Sequence, residues 1–118
     1  MRDSGAPVGV RILVGDRTLI LSAEIVREIA EMITVTPLPN VASAVLGVGT
    51  HRGIPITVLD GRSLAGVSAG VGGGPGALVL CDVGGRRVGL LVDDVLGVGG
   101  DATPWDLAAV LRPLFEQG

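Results

Sequence analysis

Few side chains in this sequence could carry covalent or metal chemistry. There is one histidine, His51, one cysteine, Cys81, one tryptophan and no tyrosine. All nine cations are arginines, which excludes a Schiff-base lysine and the lysine of a phosphate-binding loop. One His and one Cys cannot supply both a nucleophilic triad and a metal site. Cys81 sits between Leu80 and Asp82 in a strand-like run with no histidine near it in sequence, and reads as a buried, inert thiol. Asp93-Asp94 lacks the third oxygen-rich partner that a hard cation takes and reads as a solvated turn. Gly97, Gly99, Gly100 and Asp101 look only superficially like a phosphate loop, because no G-x-G-x-x-G opens a helix in a βαβ unit. His51 reads as a surface or capping residue, and Arg86-Arg87 as an exposed strand start. No catalytic residue, metal or cofactor is expected.

One constellation stands apart. Glu28, in VREI, and Arg52, in THRGIPITVLD, are charged groups inside apolar, β-type segments. Charges in such settings tend to be paired, since an isolated buried charge costs several kcal/mol. A structural ion pair joining two strands and a role in binding a partner are compatible readings.

The elements that must position these residues follow from composition and period. The 118 residues contain 20 Gly, 7 Pro, 18 Val, 15 Leu and 7 Ile. That is too aliphatic for a disordered chain, and Val-rich runs broken by Gly and Pro describe short strands and tight turns. A mainly all-β single domain is expected. The net charge of -3 and only two aromatic residues argue against a nucleic-acid partner. A single cysteine leaves no internal disulfide and fits a reducing, cytoplasmic setting. The N-terminal MRDSGAPVG has no apolar signal-peptide core, and no run approaches the ~18 apolar residues of a membrane span, so membrane insertion is not expected.

Along the chain, Val8 to Val14 alternates with period two, Gly15-Asp16 is a hairpin turn, and Thr18 to Leu21 returns antiparallel. Ser22 to Ile29 reads as turn then strand. Pro37 and Pro39 end the next segment, and Asn40 is expected to cap one or two helical turns through Val41, Ala44 and Val45. Gly53 to Leu59 is a buried strand, with Pro55 marking an edge or bulge on one side, and Asp60 caps a short turn over Gly61 to Ala65. Gly66 to Gly76 is expected to be a mobile loop. Ala77 to Val83, Gly84-Gly85 and Arg86 to Val92 form the strongest hairpin signal. Thr103-Pro104-Trp105-Asp106 predicts a helix start, with Thr103 as cap and Pro104 first in the helix. Leu107, Val110, Leu111 and Leu114 line one face of that helix, which Pro113 kinks or ends.

The runs VREI, LGVGTHRGIPITVLDGR and VGLLVDDVLGV resemble the CheW-like domain of bacterial chemosensory systems. Val26, Glu28 and Ile29 match its first motif, Gly47, Val48, Arg52, Gly53 and Asp60 its second, and Val88, Gly89, Val92, Asp93 and Val95 its third. The three motifs keep order and spacing from Val10 to Val98. Thr50-His51 replaces the usual Asn and aliphatic residue, Thr57 stands where proline is common, and such adaptors usually continue further than this chain does after Val98. In this brevity it is similar to the accessory CheW-like proteins of the frizzy chemosensory pathway of gliding myxobacteria. The resemblance implies two small SH3-like β-barrels, the second reduced, and a short C-terminal helix that packs over an otherwise open sheet edge. It implies a cytoplasmic, non-catalytic adaptor that binds the signalling tip of a methyl-accepting chemoreceptor in a groove between the barrels. By position, Val26, Glu28, Arg52, Val95 and Val98 would face the receptor, and Gly89 would let a partner helix approach the backbone. Further partners so implied are the regulatory domain of a CheA-type histidine kinase, its docking weakened or lost by the shortening, or another CheW-like protein. An ordinary coupling protein bridging receptor and kinase is the alternative. A ligand-binding or enzymatic barrel finds no convergent set of polar residues to support it.

Overall fold

The structure, a computed structural model, describes residues 9–31, 33–67 and 76–116. Three two-residue hairpins build most of it. β1 (Gly9–Val14) pairs with β2 (Arg17–Ser22) across Gly15-Asp16. β3 (Val26–Ala30) and the short β4 (Val35–Thr36) lead to the second hairpin, β5 (Val45–His51) with β6 (Ile54–Asp60). After α1 (Gly61–Ala65), β7 (Ala77–Val83) pairs with β8 (Arg86–Val92), in register from Ala77↔Val92 to Val83↔Arg86. Gly84 and Gly85 have φ of 58° and 79°, the doubly positive turn whose twist matches that of the strands it joins. β9 (Asp94–Val98), β10 (Thr103–Pro104) and α2 (Leu107–Glu116) complete the chain.

The strands form a four-stranded sheet, β10-β2-β1-β9, and a six-stranded sheet, β3-β7-β8-β6-β5-β4. In the larger sheet, β3 and β4 lie at opposite edges, yet only residues 31–34 join them. A flat six-stranded sheet would hold its edges about 24 Å apart at ~4.8 Å per strand. The link reaches at most about 18 Å at ~3.6 Å per residue. The sheet must therefore curl, and the link closes it into a small barrel.

Burial follows the period-two rule. Along β7, Val79, Cys81 and Val83 face a core shared with Val10, Ile12, Val14, Leu19 and Leu21 of the four-stranded sheet. Leu78 and Leu80 face the other way, into the barrel with Ile56 and Val58. β7 is thus buried on both faces, which is why ALVLCDV is nearly continuously apolar. α2 buries Leu107 and Leu111 in the shared core, 1% and 0% exposed. The side chain of Asp60 accepts from Arg62 N at 3.1 Å and caps α1 as its sequence predicts.

Four expectations need correction. Asn40 caps no helix; it takes φ 57° in a turn, and Val45 already begins β5. Thr103 and Pro104 pair with Leu19 and Ile20 as a parallel strand, so α2 starts later, where Asp106 Oδ1 accepts from Ala109 N at 3.2 Å. Pro113 lies inside α2 and does not end it. Gly89 is buried between β7 and β6, and no partner can reach it. Val8 and the loop residues 68–75, expected to be mobile, lie outside the described residues.

A Cβ on Gly89 would lie 3.1 Å from Leu78 Cδ1 and 3.3 Å from Ile56 Cδ1, inside the barrel. Gly89→Val is therefore expected to overpack it and cost ~1–3 kcal/mol in urea unfolding. Gly85→Asn, at an open turn position with φ of 79° and nothing within 4 Å, meets only the strain of the left-handed backbone and should lower the midpoint less. Equal midpoints for the two variants would contradict this packing.

Candidate functional site

Glu28 is turned into place by a register slip. Val26 pairs with Cys81 but Glu28 with the adjacent Leu80, so β3 carries one extra residue, Arg27, against β7. Arg27 leaves the ladder for solvent and its Nε donates to Asp82 Oδ2 at 2.6 Å. Arg87, opposite Asp82 on β8, donates from Nε to the other carboxylate oxygen. These two guanidiniums, Arg87 foremost, hold the Asp82 carboxyl below the usual carboxylate range. Arg87 is thus an ion-pair member and more than an exposed strand start.

Across the barrel rim, Glu28 Oε2 meets the tip of the β5–β6 hairpin. Arg52 Nη2 lies 3.0 Å from it and His51 Nε2 3.5 Å. Arg52 and Gly53 form the turn, with φ of 53° and 79°. An arginine in the left-handed region carries a backbone cost of about 1–3 kcal/mol, which the hairpin register over-determines. The pairing expected from sequence is present, but Arg52 is 74% exposed, so this is a surface pair of about 0–1 kcal/mol and no buried staple. His51 is not the surface residue its isolation suggested. Its side chain is 19% exposed, and Nε2 is sealed from solvent without a well-formed hydrogen bond.

The β9 members sit on the other sheet. Val95 and Val26 are both half-buried against the core that the two sheets share. Val98 is 73% exposed and Leu96 40%. The turn beyond Val98 is not loose: Arg11 Nη1 donates to Gly99 O at 2.7 Å, and a side chain at Gly100 would collide with that guanidinium. The structure thus joins Glu28 to Arg52, sets Val26 and Val95 on the flanks of one core, leaves Val98 exposed, and puts Gly89 inside.

Asp93 was misread as solvated. It is 11% exposed, pairs with Arg62 of α1 through both carboxylate oxygens, and accepts from Gly15 N at 2.6 Å. The Arg62 guanidinium holds its carboxyl below the usual range, burial opposes this, and the Gly15 N–H adds to it. An aspartate two residues before Val95 in an apolar strand was the available signal. Cys81 is inert: burial, reinforced by the negative Asp82, pushes its thiol up to about 12. No group of three or more His, Cys, Asp or Glu among the described residues could hold a metal ion. No helix among them is long and apolar enough to cross a membrane. What the described surface offers is contact: exposed Ile29, Ile54, Leu96 and Val98, and the surface Glu28–Arg52 charge pair.

A family model for the CheW-like domain matches residues 9–99. The chain belongs to the CheW-like family. It is 32% identical over 111 residues to the chemotaxis protein CheW of Rhizobium meliloti (strain 1021), covering 89% of this chain and 71% of that relative. Its fold is similar to the crystal structure of the scaffolding protein TtCheW from Thermoanaerobacter tengcongensis, with a TM-score of 0.72 at 21% identity. That match covers 81% of this chain and 66%, just under two thirds, of the other. The mainly β, two-sheet architecture with short helices is therefore that of a CheW-like domain, as the three motifs implied.

The Asp93 link gives this domain an acid-sensitive joint. A carboxyl whose folded pKa lies below its unfolded value of ~3.9 contributes stability that is fully present above that value. That contribution is lost as pH falls through the lower folded value. Asp93→Asn is expected to lower the urea midpoint at pH 7 and to flatten its fall below about pH 4. Parallel acid limbs in the wild type and Asp93→Asn would count against this.

Proposed function

We propose that this chain is a non-catalytic adaptor of a bacterial chemosensory array, acting in the cytoplasm. It binds the signalling tip of a methyl-accepting chemoreceptor, while docking to a CheA-type kinase is weakened or lost. The observation that carries this is the Glu28–Arg52 pair, 3.0 Å apart and at the surface of a CheW-like frame. Exposed aliphatic side chains supply a helix-in-groove contact, and a rim charge pair sets its orientation more than its strength. Val26, Glu28, Arg52, Val95 and Val98 are the proposed contact residues.

The loss of kinase docking is supported by the unequal sheets. The four-stranded sheet is bounded by a two-residue strand, β10, and by β9, which pairs only with β1. We read residues 9–99 as one CheW-like domain. A stable interface buries ~1,200–2,000 Å² in total, and a sheet bounded by a two-residue strand offers little edge for it. The other reading, an ordinary coupling protein that holds receptor and kinase together, is favoured by one feature. A second concave surface of about 760 Å³ lies between Leu38, Val41, Val48 and Leu114, rimmed by Arg86 and Arg87.

Calorimetric titration against a receptor signalling fragment and a CheA regulatory domain, at one salt concentration, separates the readings. Binding is expected to the receptor fragment and not comparably to the kinase domain. Arg52→Glu should weaken receptor binding about fivefold, as a surface pair of ~1 kcal/mol would, and adding Glu28→Arg should recover part of it. Micromolar binding to the kinase domain would restore the bridging role. Binding to neither would direct attention to another CheW-like protein as partner.

A further inference from the structure

His51 is the chain's one histidine, and it has no role in the docking contact just described. Its Nε2 is sealed from solvent, lacks a well-formed hydrogen bond and lies 3.5 Å from Glu28 Oε2. The same oxygen takes Arg52 Nη2 at 3.0 Å. We infer that His51 is a proton-operated positioning residue for the Glu28–Arg52 pair: once protonated, it draws Glu28 Oε2 onto Nε2–H and loosens the hold on Arg52.

The chemistry follows from what Nε2 faces. A neutral imidazole presents either a lone pair to a carboxylate or an N–H too far away to bond well, and a buried polar atom left in that state is unfavourable. A protonated imidazole presents a charged donor, and Glu28 Oε2 is the carboxylate oxygen within its reach. Imidazoles change charge between about pH 5 and 8. The three-member group then goes from neutral to one net positive charge, with two cations at adjacent positions in one tight turn. Arg52 is the member free to give way. It is 74% exposed and held in the left-handed backbone region, whereas His51 is enclosed.

Among the described residues, Glu28 is the carboxylate that pairs with His51. β4, which pairs with β5, carries Val35 and Thr36, and the strand opposite His51 begins with Ile54 and Pro55. Arg27, Asp82 and Arg87 form their own cluster, and Arg87 feels Glu28 only as a weaker, more distant charge. That protonation alters binding rests on the docking reading above; the internal competition for Glu28 does not.

A single imidazole signal makes the test direct. Proton NMR of the full chain from pH 5 to 8.5 follows the His51 ring signal and the Arg52 guanidinium signal, the latter identified by its loss in Arg52→Ala. The Arg52 signal is expected to shift together with the His51 signal in the wild type and to stay fixed in His51→Asn and Glu28→Gln. An Arg52 signal indifferent to the change at His51 would overturn the inference. Calorimetry with the receptor fragment at pH 5.5 and 8 should then show an affinity change of threefold or more that His51→Asn abolishes. A wild-type affinity that is equal at both pH values would also overturn it. No binding at either pH sinks the docking reading alone, and the two NMR signals still decide for or against His51.

Discussion

The rest of the structure depends on β7 being buried on both faces. A strand shows alternate residues to opposite sides, so one run of seven residues must satisfy two cores at once. Val79, Cys81 and Val83 serve the core shared by the two sheets, and Leu78 and Leu80 serve the interior of the barrel. Each such side chain, fully buried, stabilises the fold by roughly 1.5–3 kcal/mol. A slip of one residue would exchange the two sets, so the register with β8 and β3 is held from both sides. β8 follows the same rule. Val88, Leu90 and Val92 fill the shared core, while Gly89 leaves room inside the barrel for Leu78 and Ile56.

The outer face inherits its geometry from that wall. Asp82, partly exposed near the end of β7, holds both Arg27 and Arg87. The extra residue this accommodates in β3 turns Glu28 toward the β5–β6 turn, where the doubly positive φ pair presents Arg52 and His51. The charged rim is therefore a consequence of strand register. It is not an independent surface feature that could be moved without disturbing the core.

This division also explains what could be read from sequence. The hairpins at Gly15-Asp16 and Gly84-Gly85 and the Asp60 cap are local patterns, and all are present as read. Glu28 and Arg52 were legible as partners, although the pair they form lies at the surface and not in a buried strand setting. What failed required knowing a neighbour. Thr103-Pro104 is a sound helix start until β2 offers it a parallel ladder. Asp93 looks solvated until Arg62 and Gly15, far away in sequence, converge on it. Gly89 looks accessible until β6 and β7 close over it. A lone histidine carries no spacing signal, so nothing in sequence placed His51 beside Glu28.

The magnitudes decide what holds the two sheets in relation to each other. Val26 belongs to the six-stranded sheet and Val95 to the four-stranded sheet, yet both rest on the same core. An exposed pair of about 0–1 kcal/mol at Glu28–Arg52 cannot hold two sheets in relation to each other. The shared core can, since five buried side chains of β1 and β2 alone pack into it against β7 and β8. The Asp93 carboxylate adds a directional tie at the same seam, linking α1 after β6, the β1–β2 turn and the start of β9. Apolar burial fixes the distance between the sheets, this tie fixes where β9 begins, and the exposed charge pair carries little of the frame. An interaction weak in stability is then well placed to be responsive, because altering it leaves the frame unchanged.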